Sequence, residues 1–261
     1  MIYLGYDLLG SAALKKVQFF KNDKLAYFIS SMLAGIYVGL CVITILVMGS
    51  MLPGFGGIKI LQGASFAAAL SLIVFAGAEL FTGNVMVMTA GVMRKTINLF
   101  DAAKLCLFCY LGNFAGSILI AALFWGTGYL KDIVLIEAVS MITEKTAPTF
   151  IELFVRGILC NILVCVGIWC VYRMKSESGK LIMLFWAIYI FVVCGFEHSI
   201  ANMTLFSLGT FSGEFSGATF GQMFKNIEAT SSGNLIGGVL FSLGYWMLSR
   251  KKYLEGIKIY E

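Results

Sequence analysis

The sequence predicts an all-α integral membrane protein, with six membrane-crossing helices arranged as a 3+3 inverted repeat. Three observations lead there: an excess of apolar residues, their collection into long runs, and an internal match between the two halves of the chain. Hydrophobic residues occupy 59% of the 261 positions and charged residues 13%, where soluble domains hold about 45–50% and about 25%. A core cannot absorb that surplus, so it has to face lipid.

A crossing helix needs ~20 largely apolar residues. Six stretches qualify: Leu25 to Ser50, Gly63 to Val92, Ala102 to Thr127, Phe150 to Tyr172, Leu181 to Leu208 and Gly233 to Leu248. They are continuous, whereas the strands of a membrane β-barrel alternate over segments of ~10 residues. The two prolines, Pro53 and Pro148, fall between runs. One channel-like domain is expected over 1–261, with a cytoplasmic or interfacial segment at 1–24. The first repeat is expected at 25–128, the second at 149–249, and a cytoplasmic tail at 250–261. Residues 6–20 read as a short interfacial helix, with Leu8, Leu9 and Ala12 on one side and Ser11 and Lys15 on the other.

Basic residues set the orientation. With the N-terminus inside, the inner side holds Lys15, Lys16, Lys21, Lys24, Arg94, Lys95, Lys104, Arg173, Lys175, Lys180, Arg250, Lys251, Lys252 and Lys258. The outer side holds only Lys59, Lys131, Lys145 and Lys225. Both termini are therefore expected in the cytoplasm, with the chain in the cell (plasma or inner) membrane. The net charge of +5 then calls for no nucleic-acid partner. All seven cysteines lie in apolar runs. They read as small hydrophobes rather than metal ligands, and no metal or cofactor is expected.

The internal match is the most informative feature. The second run contains G77-A-E-L-F-T-G-N84 and the fifth G195-F-E-H-S-I-A-N202, offset by 118. The third contains G112-N-F-A-G116 and the sixth G233-N-L-I-G237, offset by 121; Gly35 and Gly157 are offset by 122. Three crossings per unit oblige the second copy to enter from the opposite side, which is the inverted architecture of many transporters.

The two octets place Glu79, Glu197 and His198 deep in apolar sequence. An ionisable group there costs roughly 2.5–3.5 kcal/mol on the insertion scale, and broken backbone needs partners of its own. Helices two and five are therefore expected to be interrupted around a midplane site. Glu79 and Glu197, with Asn84 and Asn202, read as structural groups of those breaks. His198 is different: it is the single histidine, and its counterpart is Leu80. It reads as functional, near the pH range in which imidazole titrates. Asn161 either ties helices together or faces the site; Arg156 either pairs with Glu152 or caps a helix end. The pairs Gly35/Gly39 and Gly112/Gly116 suggest close helix packing, within or between subunits.

Together, the GFEHSIAN run, the paired breaks, the RGILCN segment and the two GN-x-x-G patterns resemble the formate/nitrite transporter family over roughly residues 10–250. That resemblance implies an aquaporin-like fold, a homopentamer, and a pore for a small monovalent anion in each protomer. It also implies His198 as the central pore histidine with Thr82 its partner, and Asn161 facing it. Phe66, Leu70, Leu80 and Phe191 correspond to the two greasy constrictions, and Lys16 and Lys145 to the vestibule lysines that draw anions in. The Leu-Phe-Thr-Gly-Asn run departs from formate-channel members and leaves substrate choice open, with formate ranked ahead of nitrite and hydrosulfide.

An apolar constriction cannot cheaply hold a bare anion. The expected mechanism is proton-linked, the anion gaining its proton at the constriction from His198 or from water. The alternatives are a neutral-solute channel of aquaporin type and a membrane scaffold. A lone histidine without a partner makes an enzyme a poor reading.

Overall fold

Eleven helices and no strand make up residues 2–214 and 218–254, the residues that a computed structural model of the protein describes. Lys258 and the rest of the expected tail beyond Leu254 lie outside them. Helix α1 (Ile2–Asn22) is longer than expected. Its buried stripe is Tyr6, Leu9, Ala13, Val17 and Phe20, the three- and four-residue spacing of a helix laid against a core. Leu8, expected beside Leu9, is instead half exposed. Asp23 separates α1 from α2 (Lys24–Met51) and caps the latter through the Ala26 amide.

After α2 come α3 (Ile58–Phe66), α4 (Ala68–Ala76), α5 (Phe81–Met93) and α6 (Leu99–Gly126). Helix α7 (Asp132–Thr146) follows, then α8 (Phe150–Arg173), α9 (Glu177–Val193), α10 (Ser199–Ser212) and α11 (Phe220–Leu254). Among the described residues, four stretches are long and apolar enough to cross a membrane: α2, Ile58–Ala76, α6 and α8. Helix α7 was not expected. Its charged ends interrupt the apolar sequence, but Val134, Ala138 and Ile142, spaced by four, give it a buried face. Helix α11 begins well before Gly233 because Asn226 and Thr230, polar in sequence, are fully buried.

Two helix pairs form the frame: α2 against α6, and α8 against α11. Both close on glycine. A Cβ on Gly35 would run into the Asn113 carbonyl, and one on Gly116 into the Met32 backbone. In the second pair, a Cβ on Gly233 would meet the Phe154 carbonyl and one on Gly237 the Ile158 carbonyl. Backbone cannot step aside as a side chain can, so these glycines set the interhelical distance within one chain. Many large apolar side chains, Leu33, Leu107, Phe114 and Ile151 among them, remain on the outer surface, as lipid-facing helices require.

Gly116→Leu and Gly233→Leu are expected to abolish accumulation of monodisperse protein in detergent, since overpacking alone costs about 1–3 kcal/mol and here the obstacle is main chain. Gly126→Leu, with open space around it, is expected to purify normally. Size-exclusion profiles and thermal unfolding of the three variants check this.

Candidate functional site

Two short non-helical segments lie inside the apolar body. The first, Gly77–Leu80, separates α4 from α5; the second, 194–198, separates α9 from α10. Each carries near its start a glycine in the left-handed region, Gly77 at φ +75 and Gly195 at φ +70, a conformation that ends a helix most cheaply for glycine. The amides and carbonyls freed there find partners in the flanking helices. Asn113 of α6 accepts the Phe81 amide at 2.9 Å and donates to the carbonyls of Ser31 (2.7 Å) and Glu79 (2.8 Å). Asn234 of α11 accepts the Ser199 amide at 3.0 Å and donates to the carbonyls of Gly157 and Glu197, each at 2.9 Å. Each of these buried side chains spends its carbonyl and both N–H groups on holding a segment open. Sequence reading singled out the glycines of the two GN-x-x-G patterns and passed over the asparagine between them.

The carboxylates stand at equivalent places. Glu79 receives Lys16 Nζ at 2.6 Å, the Asn84 amide at 2.8 Å and the Tyr27 hydroxyl at 3.2 Å. Glu197 receives Lys145 Nζ at 3.0 Å and the Asn202 amide at 2.7 Å. Both lysines expected in the vestibules are thus salt-bridged to the glutamates expected at the breaks, a pairing not read from sequence. Burial disfavours a charged Lys16, but its neighbours, the Glu79 carboxylate foremost, together outweigh that and hold the ammonium above its usual range.

His198 closes the second segment as the N-cap of α10. Its Nδ1 accepts the Ala201 amide at 3.3 Å, so the proton of the neutral ring sits on Nε2, which faces the Thr82 hydroxyl at 3.2 Å. Phe191 stacks on the imidazole with ring centroids 6.1 Å apart, and Phe66 meets Phe191 edge-on at 5.9 Å. Asn161, expected to face the histidine, donates its amide to the carbonyls of Thr82 (3.2 Å) and Asn234 (2.5 Å).

Two cavities approach this point from opposite sides. One, of about 440 Å³, is lined by Lys145, Glu197, Phe66, Phe191 and His198. The other, of about 320 Å³, is lined by Lys16, Glu79, Leu70 and Leu80. Between them is a slit of only about 10 Å³, walled by Phe66, Leu70, Ile73, Leu80, Phe191 and His198. A single water needs about that much.

An all-helical, lipid-facing body holding two cavities with charged side chains in their walls, meeting at an apolar slit, is the frame of a membrane channel or transporter. Residues 6–247 match the formate/nitrite transporter model, and the chain belongs to that family. It is 38% identical to the nitrite transporter NirC of Salmonella typhimurium over 235 residues, 88% of this chain and 86% of NirC. It is 30% identical to the formate channel FocA of Escherichia coli over 272 residues, 93% and 95% of the two chains. Among solved structures, an FNT family ion channel superposes with a TM-score of 0.88 at 35% identity, covering 94% of this chain and 98% of its own. A pentameric formate channel with formate bound gives 0.74 at 26%, covering 88% and 97%. These relatives are transporters and channels, not enzymes.

Asn113→Ala and Asn234→Ala each orphan the buried amide that opens the next helix, Phe81 or Ser199, and take one donor from the carbonyl of Glu79 or Glu197. With about 1–3 kcal/mol per orphaned group, both variants are expected to lose about 2 kcal/mol of stability, read as matching drops in unfolding temperature in detergent. A loss at one position only would contradict the equivalent roles given to them.

Proposed function

We propose that this chain passes a small monovalent anion of a weak acid across the cell membrane, one proton travelling with each anion. The observation that carries this is the apolar slit between two charged cavities, with the His198–Thr82 pair at its edge. NirC, at 38% identity against 30% for FocA, puts nitrite ahead of formate, which the sequence alone had ranked first; hydrosulfide follows.

In this reading 1–261 is one channel domain. Helices α3 to α5 form one interrupted crossing and α9 with α10 another, so that 25–128 and 149–249 are the two inverted repeats of an aquaporin-like, six-crossing bundle. The excess of basic residues at the predicted inner ends supports cytoplasmic termini. The likeness to a pentameric formate channel supports a homopentamer with a pore in each protomer.

The Lys16–Glu79 and Lys145–Glu197 pairs are polar, hydrated thresholds, and Phe66, Leu70, Leu80 and Phe191 are the constrictions. Moving a carboxylate-sized ion into dry protein costs about 20 kcal/mol in the idealised limit, and several kcal/mol survive relaxation. As the anion enters, its proton affinity rises until it takes a proton, and the neutral acid crosses. A neutral imidazole is a poor source for that proton. Nor does it readily accept a second one, because a proton on Nδ1 would set two donors, Nδ1–H and the Ala201 amide, against each other. The proton therefore comes from vestibule water, while Nε2–H and the Thr82 hydroxyl hold the entering oxygen.

Flux of nitrite and formate into proteoliposomes is expected to rise severalfold from neutral to mildly acidic pH. His198→Asn is expected to keep that acid stimulation, since asparagine both caps the Ala201 amide and offers an N–H toward Thr82. His198→Phe is expected to lose most of the flux. If the asparagine variant conducts without any pH dependence, the histidine is the proton donor and this mechanism is wrong.

A further inference from the structure

The larger cavity holds six charged side chains: Lys59, Lys145, Arg156, Glu137, Glu144 and Glu197. Four of them cancel in pairs, Lys59 with Glu144 at 2.9 Å and Lys145 with Glu197 at 3.0 Å. That leaves one cation and one carboxylate without a salt bridge among the described residues. Glu137 stands at the rim, its carboxylate packed against Gly49 in the last turn of α2. Burial and the neighbouring Glu144 push its carboxyl above the usual range. Arg156 is deeper. Its carbonyl accepts the Glu197 amide at 3.4 Å, which puts its backbone level with the second non-helical segment.

Arg156 makes neither a salt bridge to Glu152 nor a helix-end hydrogen bond among the described residues, although its charge reaches both Glu152 and Glu144. Glu152, one turn earlier, has its carboxylate held by Thr149 in the capping box of α8, and no salt bridge joins the two. Among the described residues the guanidinium makes no hydrogen bond, and it opens on the cavity. The opposite cavity has no equivalent, for its charged lining is Lys16 and Glu79, already paired. At the offset that matches Gly35 with Gly157, the counterpart of Arg156 is Ala34, fully buried. Arg156 therefore breaks the internal symmetry, as His198 does.

We propose that Arg156 is the capture residue of this cavity and selects planar anions with two oxygens on one centre, the class of nitrite and formate, over anions with a single acceptor atom such as hydrosulfide. The inference rests on the anion-transport reading above. A guanidinium is always charged and presents parallel N–H groups in a fixed fork. That fork matches two oxygens of one planar group, a fit an ammonium lacks. Hydrosulfide offers one diffuse acceptor and gains only from the charge. The lysines of this cavity are poor rivals for the role, since each already holds a carboxylate.

Initial rates of nitrite, formate and hydrosulfide uptake into proteoliposomes, for wild type, Arg156→Lys and Arg156→Gln, test this. Arg156→Lys keeps the charge and removes the fork. Its KM for nitrite and formate is expected to rise about tenfold, the loss of one charge-assisted bond, with a smaller change for hydrosulfide, so the oxyanion-to-hydrosulfide ratio falls. Arg156→Gln is expected to lower the ratio as well as all three rates. Should the glutamine variant not fold, nitrite competition against hydrosulfide uptake in wild type and Arg156→Lys reads the same preference. An unchanged ratio in Arg156→Lys, or an equal fall for all three anions, overturns the proposal while leaving anion transport standing. Wild-type protein that passes none of the three overturns the transport reading itself, and this inference with it.

Discussion

Backbone polarity in a medium without water is the constraint on which the rest of this structure depends. Opening an apolar helix frees amides and carbonyls that lipid cannot satisfy, so each opening has to bring its own partners. Asn113 and Asn234 do this from neighbouring helices with the same three bonds. They can reach because glycines at Gly35, Gly116, Gly157 and Gly233 let α2 close on α6 and α8 on α11. Packing and polarity are therefore one device: a bulkier residue at the glycines moves the helix that carries the asparagine.

The same economy governs charge. A glutamate at the level of each non-helical segment would be prohibitive alone, and each is met by a lysine and an asparagine amide. The cavities consequently carry charged groups without a large net charge, and the slit between them stays apolar. Departures from the internal match then carry the individuality of the pore. His198 stands where the first half has Leu80, and Arg156 where it has Ala34. Both line the same cavity, so the two cavities differ chemically.

Much of this was legible in the sequence for a physical reason. Glycine, glutamate and asparagine recurring in register at 77, 79 and 84 and at 195, 197 and 202 have no place in apolar helices unless backbone opens there. The residues walling the slit were legible only through family resemblance, because nothing in their spacing distinguishes Phe66 or Leu70 from other lipid-facing or packed positions. What stayed hidden was tertiary. Lys16 and Glu79 lie 63 residues apart and Lys145 and Glu197 52 apart, and no local pattern joins them. Hydropathy misread α7 and the start of α11, since charges at the ends of one and the buried Asn226 and Thr230 of the other look like loop. The bonds by which the Asn161 amide ties the Thr82 and Asn234 carbonyls are tertiary in the same way.

The central claim is that an ion crosses the slit only after becoming neutral. Proteoliposomes loaded with a pH-sensitive dye, given an inward nitrite or formate gradient with the membrane potential clamped at zero, measure it directly. The account predicts one proton entering with each anion, acidification of the lumen, and no change in flux when the clamp is moved to either polarity. Anion uptake that leaves lumenal pH unchanged and scales with the imposed potential would mean that the bare ion crosses, and would contradict it.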